Sequence, residues 1–280
     1  MTRFASILHE GRPAAAAIVG DRAVPLEGIA ELGAATPSDV LRDPPLLEEQ
    51  AVPLSEVRLR PVIPSPARVI CVGLNYHAHI DETKLDASEY PVLFTKFASA
   101  LTGPDDPIVL PAESEQVDYE GELTVVIGAP ARRVPRESAL DVVAGYTLAN
   151  DVSMRDYQFK THQWIQGKSW DRSTPLGPHL VTPDEVGDPQ ALELRVTVNG
   201  EEVQRATTDL MIFDVATVIS VVSEFTALEP GDVILTGTPS GVGMAREPQL
   251  FLRDGDVVVV EVDRVGRLES VARGEAAVAP

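Results

Sequence analysis

Two glutamates on one predicted strand carry the clearest chemical signal in the sequence. Residues 117–128 read VDYEGELTVVIG, in which apolar side chains alternate with polar ones as they do along a β-strand. Glu120 and Glu122 are two residues apart, so both face the same side of the strand, about 6.5–7 Å apart along its axis. That separation lets both carboxylates bind one cation. The competing interpretation is a solvent-exposed acidic stripe on an antiparallel strand.

An aspartate at the end of a second apolar run favours the cation site. Asp151 follows the run VVAGYTLAN, at the position where a strand would end. Three carboxylates together with bound waters make the all-oxygen coordination that Mg²⁺ and Mn²⁺ prefer. Zinc is less favoured, because no cysteine or histidine ligand spacing occurs nearby. Ser153 is predicted to cap a short helix after this strand, with Asp156 in the capping-box position.

A histidine pair in the segment VGLNYHAHIDE is the second chemical signal. Asn75 is a favoured helix N-cap, and in a helix that starts there His79 and Glu82 share one face, because they are three residues apart. A glutamate that orients an imidazole raises its basicity, as a water-activating general base requires. His77 is a rival base. The His-Ala-His spacing could instead supply two metal ligands, or both histidines could lie on a polar surface loop.

A lysine and a glycine-rich loop supply further candidate groups. The chain has four lysines, so Lys168 in GKSWDRSTPLGP stands out, although a lone lysine is more often a solvated surface charge. Residues 235–243 read LTGTPSGVG after a strand-like run and lack the GK[ST] of a phosphate-binding loop. This segment is predicted either as a tight connection or as a surface of backbone and hydroxyl groups in which Thr238 faces a ligand.

The elements that would position these groups are mostly strands. Short apolar runs alternate with turn residues, Asn199-Gly200 marks a β-hairpin, and helical periodicity is found chiefly in residues 213–225. We therefore expect a strand-dominated α+β fold, built as a barrel or rolled sheet. Three units are predicted along the chain: a small β-rich N-terminal module (1–57), a proline-rich linker (58–67) and a catalytic domain (68–280).

Composition narrows the classes of function. The 280 residues carry a formal net charge of −20, which argues against nucleic acid as a partner, because binding phosphates needs clustered lysine and arginine. No run approaches the roughly 20 apolar residues of a membrane helix, and no apolar secretory segment is found at the N-terminus. With a single cysteine, Cys71, and no internal disulfide, we expect a cytoplasmic location. An anionic substrate would need local cations or a metal at its site, because the mean charge repels it.

Six segments in order resemble the fumarylacetoacetate hydrolase family: VGLNYHAHIDE, PVLFTKF, VDYEGELTVVIG, ANDVSMRDYQ, GKSWD and GDVILTGTPSGVG. They span about residues 68–243, and their number and order make the match specific. The resemblance implies a β-rich roll of the family's C-terminal type and a homodimer. The first 57 residues resemble the short leading module of longer bacterial members.

The resemblance also implies roles for individual residues. The ligands of Mg²⁺ or Mn²⁺ would be Glu120, Glu122 and Asp151. The catalytic residues would be His79, Glu82 and Lys168. The substrate pocket would be lined by Lys96, Arg155, Gln158 and Thr238.

The reaction that the resemblance implies is hydrolysis of a carbon–carbon bond in a small anionic oxo-acid. In an acylpyruvate such as fumarylpyruvate, His79 would activate a water that attacks the distal carbonyl, releasing pyruvate and a carboxylic acid during aromatic-compound catabolism. The same metal site could instead serve an isomerase or a decarboxylase of a 2-hydroxy-dienedioate or an oxaloacetate-like acid. A non-catalytic small-molecule-binding protein of the same fold is the remaining alternative.

Overall fold

The computed structural model of the chain describes residues 3–86 and 88–277. The strands in this part are, in chain order, β1 (Arg3–His9), β2 (Arg12–Val19), β3 (Arg22–Pro25), β4 (Val52–Pro53), β5 (Arg58–Leu59), β6 (Val69–Gly73), β7 (Val92–Thr95), β8 (Leu101–Thr102), β9 (Ile108–Leu110), β10 (Val117–Asp118), β11 (Gly121–Ile127), β12 (Val143–Asn150), β13 (Ser153–Met154), β14 (Thr174–Val181), β15 (Glu193–Val198), β16 (Glu201–Thr207), β17 (Val233–Leu235), β18 (Val257–Val262) and β19 (Gly266–Gly274). The α-helices are α1 (Ser38–Arg42), α2 (His77–Thr83), α3 (Arg155–Gln158), α4 (Ile165–Lys168), α5 (Pro183–Val186) and α6 (Val215–Phe225). Short 3-10 helices cover Glu48–Gln50, Leu54–Glu56, Ala98–Ala100, Arg136–Val142, Thr208–Leu210, Gly243–Ala245 and Glu275–Ala277.

Twelve of the described strands form one mixed sheet. Along its hydrogen-bonded path the order is β4-β3-β2-β1-β14-β12-β11-β17-β6-β7, with β5 paired to β1 and β8 paired to β14. Most neighbours are antiparallel, but β17 and β6 are parallel, as are β14 and β8. The path ends at β4 and β7, so this sheet does not close on itself. The fold is the strand-dominated α+β class that the sequence predicts, in the form of open mixed sheets rather than a closed barrel.

A second sheet of five strands, in the order β16-β15-β18-β19-β9, covers one face of the first. Leu123 and Val125 of β11 belong to the same buried apolar cluster as Val196 of β15 and Val260 of β18. The opposite face of β11 contributes Val126 to a different cluster. Because β11 is covered on both faces, all seven of its residues are buried.

The turn between β15 and β16 is the predicted hairpin. Asn199 and Gly200 have φ angles of +52° and +84°, the positive values that a two-residue type I′ turn requires. Asparagine and glycine adopt this region at low cost, so the local sequence is sufficient to specify the connection. The hairpin prediction is confirmed.

The strands of the predicted N-terminal module extend the large sheet. Arg3 of β1 pairs with Val181 of β14, so the module and the following chain share one hydrogen-bonded sheet. The predicted linker is also packed: Arg58–Leu59 pairs with β1, and Val62 accepts a hydrogen bond of 3.0 Å from Ser6 Oγ. The domain boundaries stay a prediction, and their outer ends, residues 1–2 and 278–280, lie outside the described residues.

Helix α6 lies where periodicity predicts it, whereas two predicted N-caps are wrong. Asp214 caps α6 through a hydrogen bond of 2.7 Å from Thr217 N. The side chain of Asn75 does not cap α2, because it binds the backbone of Phe213 instead, over 2.8–2.9 Å. Ser153 likewise does not cap α3, and its hydroxyl donates to Asp151 O. No helix in the described part of the chain is both long enough and apolar enough to cross a membrane.

Candidate metal centre and active site

Three strand ends bring the predicted carboxylates together. Glu120 lies in the break between β10 and β11, Glu122 is the second residue of β11, and Asp151 directly follows β12. Gly121 pairs with Asn150 across the two strands. Asp151 N donates to Glu120 O over 2.8 Å, and Glu120 N donates to the Asn150 side chain over 2.9 Å. These bonds fix the positions of Glu120 and Asp151 relative to each other.

The carboxylates form a compact buried cluster. Glu120, Glu122 and Asp151 each offer one oxygen, and these oxygens all lie within 4.8 Å of one another. Their exposed fractions are 5%, 1% and 0%, so the interpretation of a solvent-exposed acidic stripe is wrong. Buried carboxylates require cations or hydrogen-bond donors for compensation.

Three buried cations surround this cluster. Lys168 Nζ lies 2.7 Å from Glu120 Oε2 and 2.9 Å from Asp151 Oδ2, so it bridges two of the carboxylates. Lys96 Nζ donates to Asp151 Oδ1 over 2.6 Å. Arg155 Nη2 lies 2.7 Å from Glu120 Oε1. Both oxygens of Glu120 and of Asp151 therefore face a positive charge.

Glu122 lacks comparable compensation. Among its described contacts is one hydrogen bond of 2.6 Å, from Gly237 N to Oε2. Burial raises the pKa of Glu122 well above its usual value, and the Asp151 and Glu120 charges raise it further. Burial also raises the pKa of Glu120, but the adjacent Lys168 and Arg155 cations outweigh it and lower that pKa to about 2. A divalent cation beside Glu122 would remove the excess negative charge, so the three oxygen donors fit Mg²⁺ or Mn²⁺.

The histidine and glutamate of α2 form the contact that their spacing predicts. His79 Nδ1 lies 2.7 Å from Glu82 Oε1. An ionised carboxylate only accepts, so Nδ1 carries a proton, and in the neutral imidazole Nε2 is then the basic atom. His79 is buried and lines the pocket beside Glu120, whereas His77 is exposed. The geometry favours His79 over His77 as the base, and the described residues place neither histidine in a metal-ligating cluster.

The glycine-rich loop after β17 contacts both the carboxylate cluster and the His79–Glu82 dyad. Gly237 N binds Glu122, and Gly241 N donates to Glu82 Oε2 over 2.8 Å. Thr238 Oγ1 donates to Gly121 O over 3.1 Å, so its hydroxyl is tied to the carboxylate strand. The loop is therefore more than a tight connection, because its backbone and hydroxyl groups hold the carboxylate strand and the dyad; that Thr238 faces a ligand stays a prediction.

One buried carboxylate in this region was not singled out from the sequence. Asp118 receives hydrogen bonds from Arg155 Nε over 2.8 Å and from the backbone N–H groups of Tyr119, Gly243 and Met244 over 2.7–3.0 Å. It thereby orients the guanidinium that faces Glu120. The signal was available, because Asp118 belongs to the same polar alternation as the two glutamates.

Seven of the ten predicted site residues line one pocket: His79, Glu120, Glu122, Arg155, Gln158, Lys168 and Thr238. The other three lie directly behind it, with Glu82 bound to His79, and Lys96 bound to Asp151, which in turn binds Lys168. Gln158 Oε1 accepts from Arg155 Nη1 over 2.8 Å. The pocket volume is about 30 Å³, and Leu85, Phe159 and Met244 are among its apolar lining residues.

A family model described as Fumarylacetoacetate (FAA) hydrolase C-terminal matches residues 68–272. The chain belongs to the fumarylacetoacetate hydrolase family. A curated relative, the mitochondrial oxaloacetate tautomerase of Xenopus laevis, is 46% identical over 218 residues, which cover 77% of this chain and 68% of the relative.

Solved structures of the family match nearly the whole chain. A 5-carboxymethyl-2-hydroxymuconate delta-isomerase from Mycobacterium smegmatis has a TM-score of 0.83 at 37% identity, covering 97% of this chain and 99% of its own. A fumarylacetoacetate hydrolase from Exiguobacterium antarcticum has a TM-score of 0.86 at 36% identity, covering 98% and 100%. These relatives are enzymes named for three different reactions, so the family identifies the chain as a fumarylacetoacetate hydrolase-family enzyme without selecting one reaction.

Proposed function

We propose that this chain is a divalent-metal-dependent tautomerase of a small 2-oxo dicarboxylic acid of the oxaloacetate type. The observation that carries the proposal is that Glu120 and Glu122, of the carboxylate cluster with Asp151, line the same pocket as His79, of the dyad with Glu82. Keto–enol exchange needs a base at the carbon beside the oxo group and a positive charge at the oxo oxygen. The pocket offers candidates for both.

The chain's own residues supply the proton transfer. His79 Nε2 would remove a proton from carbon 3 of the keto acid, the carbon–hydrogen electron pair would become the C2–C3 double bond, and the π pair of the carbonyl would move to the 2-oxo oxygen. This oxygen would take a proton from solvent to complete the enol, and His79 would release its extra proton to solvent. The reverse sequence would return the keto form. Glu82, bound to His79 Nδ1, would stabilise the imidazolium formed in between.

A divalent cation held by Glu120, Glu122 and Asp151 would act as a Lewis acid at the 2-oxo oxygen, a contribution of several kcal/mol in such sites. Its charge also bears on substrate binding. When all groups are ionised, four buried carboxylates (Asp118 included) and the three buried cations leave the cluster with one net negative charge. One divalent cation changes this to one net positive charge, which attracts an anionic acid.

The comparison with curated relatives favours an acid of the oxaloacetate type. The Xenopus relative, which is 46% identical to this chain over 218 residues, is named an oxaloacetate tautomerase. An acid of this type offers both groups that the proposed chemistry needs, an oxo oxygen and an adjacent carbon that carries protons.

Hydrolysis of an acylpyruvate is the second candidate. The His79–Glu82 dyad could equally activate a water that attacks the distal carbonyl, and the Exiguobacterium relative is named a hydrolase. The carbon–carbon bond would then break with its electron pair on the pyruvate fragment, which takes up a proton. Both reactions form the enolate of a 2-oxo acid, of oxaloacetate in the tautomerase and of pyruvate in the hydrolase, which is why one pocket suits either.

The test follows the loss of enol absorbance from freshly dissolved oxaloacetate with Mn²⁺-loaded protein, against the buffer rate and against the Glu120→Gln variant. We expect acceleration by wild type that disappears with EDTA and in the variant. Pyruvate release from oxaloacetate and from fumarylpyruvate is measured in parallel. Release from fumarylpyruvate without enol acceleration would reject the tautomerase in favour of the hydrolase, and release from oxaloacetate would indicate a decarboxylase.

Assembly and compartment are also proposals. We expect a homodimer, which light scattering on a size-exclusion column would check, and no partnership with nucleic acid or membrane. The cytoplasmic location stays a prediction, and the Xenopus relative is named as mitochondrial. Fractionation of cells that produce the full chain would distinguish a cytoplasmic from a mitochondrial location.

A further inference from the structure

A buried glutamine of the second sheet contacts the strand that carries Glu120 and Glu122. Gln204 lies on β16 and is 2% exposed, although its neighbours Glu202 and Arg205 are exposed. The pairing of β16 with β15 is irregular at this point: Gln204 pairs with Val196, but Glu202 pairs with the next residue, Thr197. Val203 is therefore an extra residue, as in a β-bulge. Bulges re-aim side chains, and this one turns two successive residues inward.

The amide of Gln204 closes a ring of hydrogen bonds around Gly121, the residue between the two glutamates. Its Oε1 accepts from Gly121 N over 3.0 Å. Its Nε2 donates to Thr238 Oγ1 over 2.8 Å and to Pro239 O over 2.8 Å. Thr238 Oγ1 in turn donates to Gly121 O. Both backbone polar groups of Gly121 are therefore held by side chains from other strands and loops.

This ring links the strand that carries the two glutamates to the loop that donates hydrogen bonds to Glu122 and Glu82. The loop's Gly237 N binds Glu122, and its Gly241 N binds Glu82, the orienting member of the dyad. The loop also approaches β16 closely at Gly241, where a Cβ would lie 2.0 Å from Val203 O. Displacement of the loop would thus move the donors of Glu122 and Glu82 together.

We propose that Gln204 is a positioning residue, whose side-chain amide holds Gly121 and the loop of residues 236–241 in the register that the metal ligands and the dyad require. The kinetic part of this inference rests on the proposed function, but the metal-binding part does not. Gln204 does not line the pocket, so it acts through Gly121 and Thr238 rather than on the substrate. Partners behind the ligands of a metal typically change affinity or activity 10- to 100-fold when lost.

The test compares Gln204→Met with Gln190→Met. Methionine keeps the length of the side chain and removes the amide. Gln190 is a matched control, because its amide also bridges two backbone groups, Thr208 O over 2.6 Å and Val215 N over 3.0 Å, away from the pocket. The readouts are the Mn²⁺ Kd without substrate, hydrogen exchange at the Gly121 amide, thermal unfolding, and kcat and KM.

We expect Gln204→Met to raise the Mn²⁺ Kd at least about 10-fold, to speed exchange at Gly121, and to lower kcat more than it changes KM. Gln190→Met should lower the unfolding temperature and leave the Mn²⁺ Kd unchanged. If Gln204→Met does not fold, Gln204→Asn, which stays polar but is one methylene too short, gives the same readouts.

Equal Mn²⁺ Kd values and equal Gly121 exchange in wild type and in the folded Gln204 variant would overturn the inference. Equal rises in Kd for the Gln204 and Gln190 variants would also overturn it, because a general loss of stability would then explain both. Failure of the proposed function looks different: wild type would not accelerate enol loss, while the Kd comparison would still decide the role of Gln204.

Discussion

Replacing Glu122 by glutamine should stabilise the metal-free protein while destroying its metal site. Glu122 is 1% exposed, and burial together with the Asp151 and Glu120 charges raises its pKa. The glutamine amide keeps the shape of the side chain and an oxygen for the bond from Gly237 N. The exchange therefore removes a buried carboxyl group that is unfavourable to ionise in this position, and little else.

The magnitude follows from the spacing of the cluster. Two carboxylate oxygens 4.8 Å apart, the upper limit within the cluster, repel by about 3 kcal/mol at an effective dielectric constant near 20. Glu122 has two such neighbours, and the attraction of Lys168 offsets part of their effect. We expect the free energy of unfolding to rise by about 1–3 kcal/mol in EDTA.

Urea unfolding in EDTA measures this change, and Mn²⁺ titration measures the lost site. Because the chain carries a net charge of −20, removing any negative charge could be stabilising. Glu201→Gln is the control, since its side chain is 78% exposed. The reasoning is refuted if Glu122→Gln is no more stable than the control, or if it binds Mn²⁺ as tightly as wild type does.

Three further outcomes are expected. His79→Gln should lower the turnover of oxo-acid by about 10²- to 10⁴-fold, whereas His77→Gln should leave it nearly unchanged, and equal losses would remove the assignment of the base. Gly241→Ala should lower the free energy of unfolding by at least about 1 kcal/mol and should lower kcat, because φ of Gly241 is +107° and the added Cβ would lie 2.0 Å from Val203 O. Calorimetry checks the change in stability, and steady-state rates check the change in kcat. Burial and the nearby Arg3 cation lower the pKa of His179 to about 4. Below about pH 6.5 the unfolded chain therefore binds a proton at His179 that the folded chain does not bind. The free energy of unfolding should fall by up to about 3 kcal/mol between about pH 6.5 and pH 4, and urea titrations should show a smaller fall for His179→Gln.

The parts of the site that sequence predicts depend on short spacing. Alternation places Glu120 and Glu122 on one side of a strand, and a separation of three places His79 against Glu82, since both relations follow from the backbone repeat. Asp151 is predicted to join them because it ends an apolar run. Local geometry is enough in each case, so the structure reproduces these contacts.

Features that depend on distant partners were not predictable in the same way. Asn75 and Ser153 have the side chains of good helix caps, but Asn75 binds Phe213 across 138 positions of sequence and loses the local role. Strand β14 is not predictable from its sequence, TPLGPHLV, because prolines argue against a central strand. Pro178 is tolerated because it lies opposite a break in the pairing, where Tyr146 pairs with Val181 but Leu148 already pairs with Gly177.

Half of the few lysines in this chain lie in the buried carboxylate cluster. Lys96 and Lys168 are two of the four lysines, and both are within hydrogen-bond distance of Asp151. Neither ammonium group is free to pair with an anionic substrate, because each already forms an ion pair with at least one carboxylate of the cluster. Of the local cations or the metal that an anionic substrate needs, the structure therefore favours the metal: the charges of the protein nearly cancel, and a bound divalent cation would make the net charge of the centre positive.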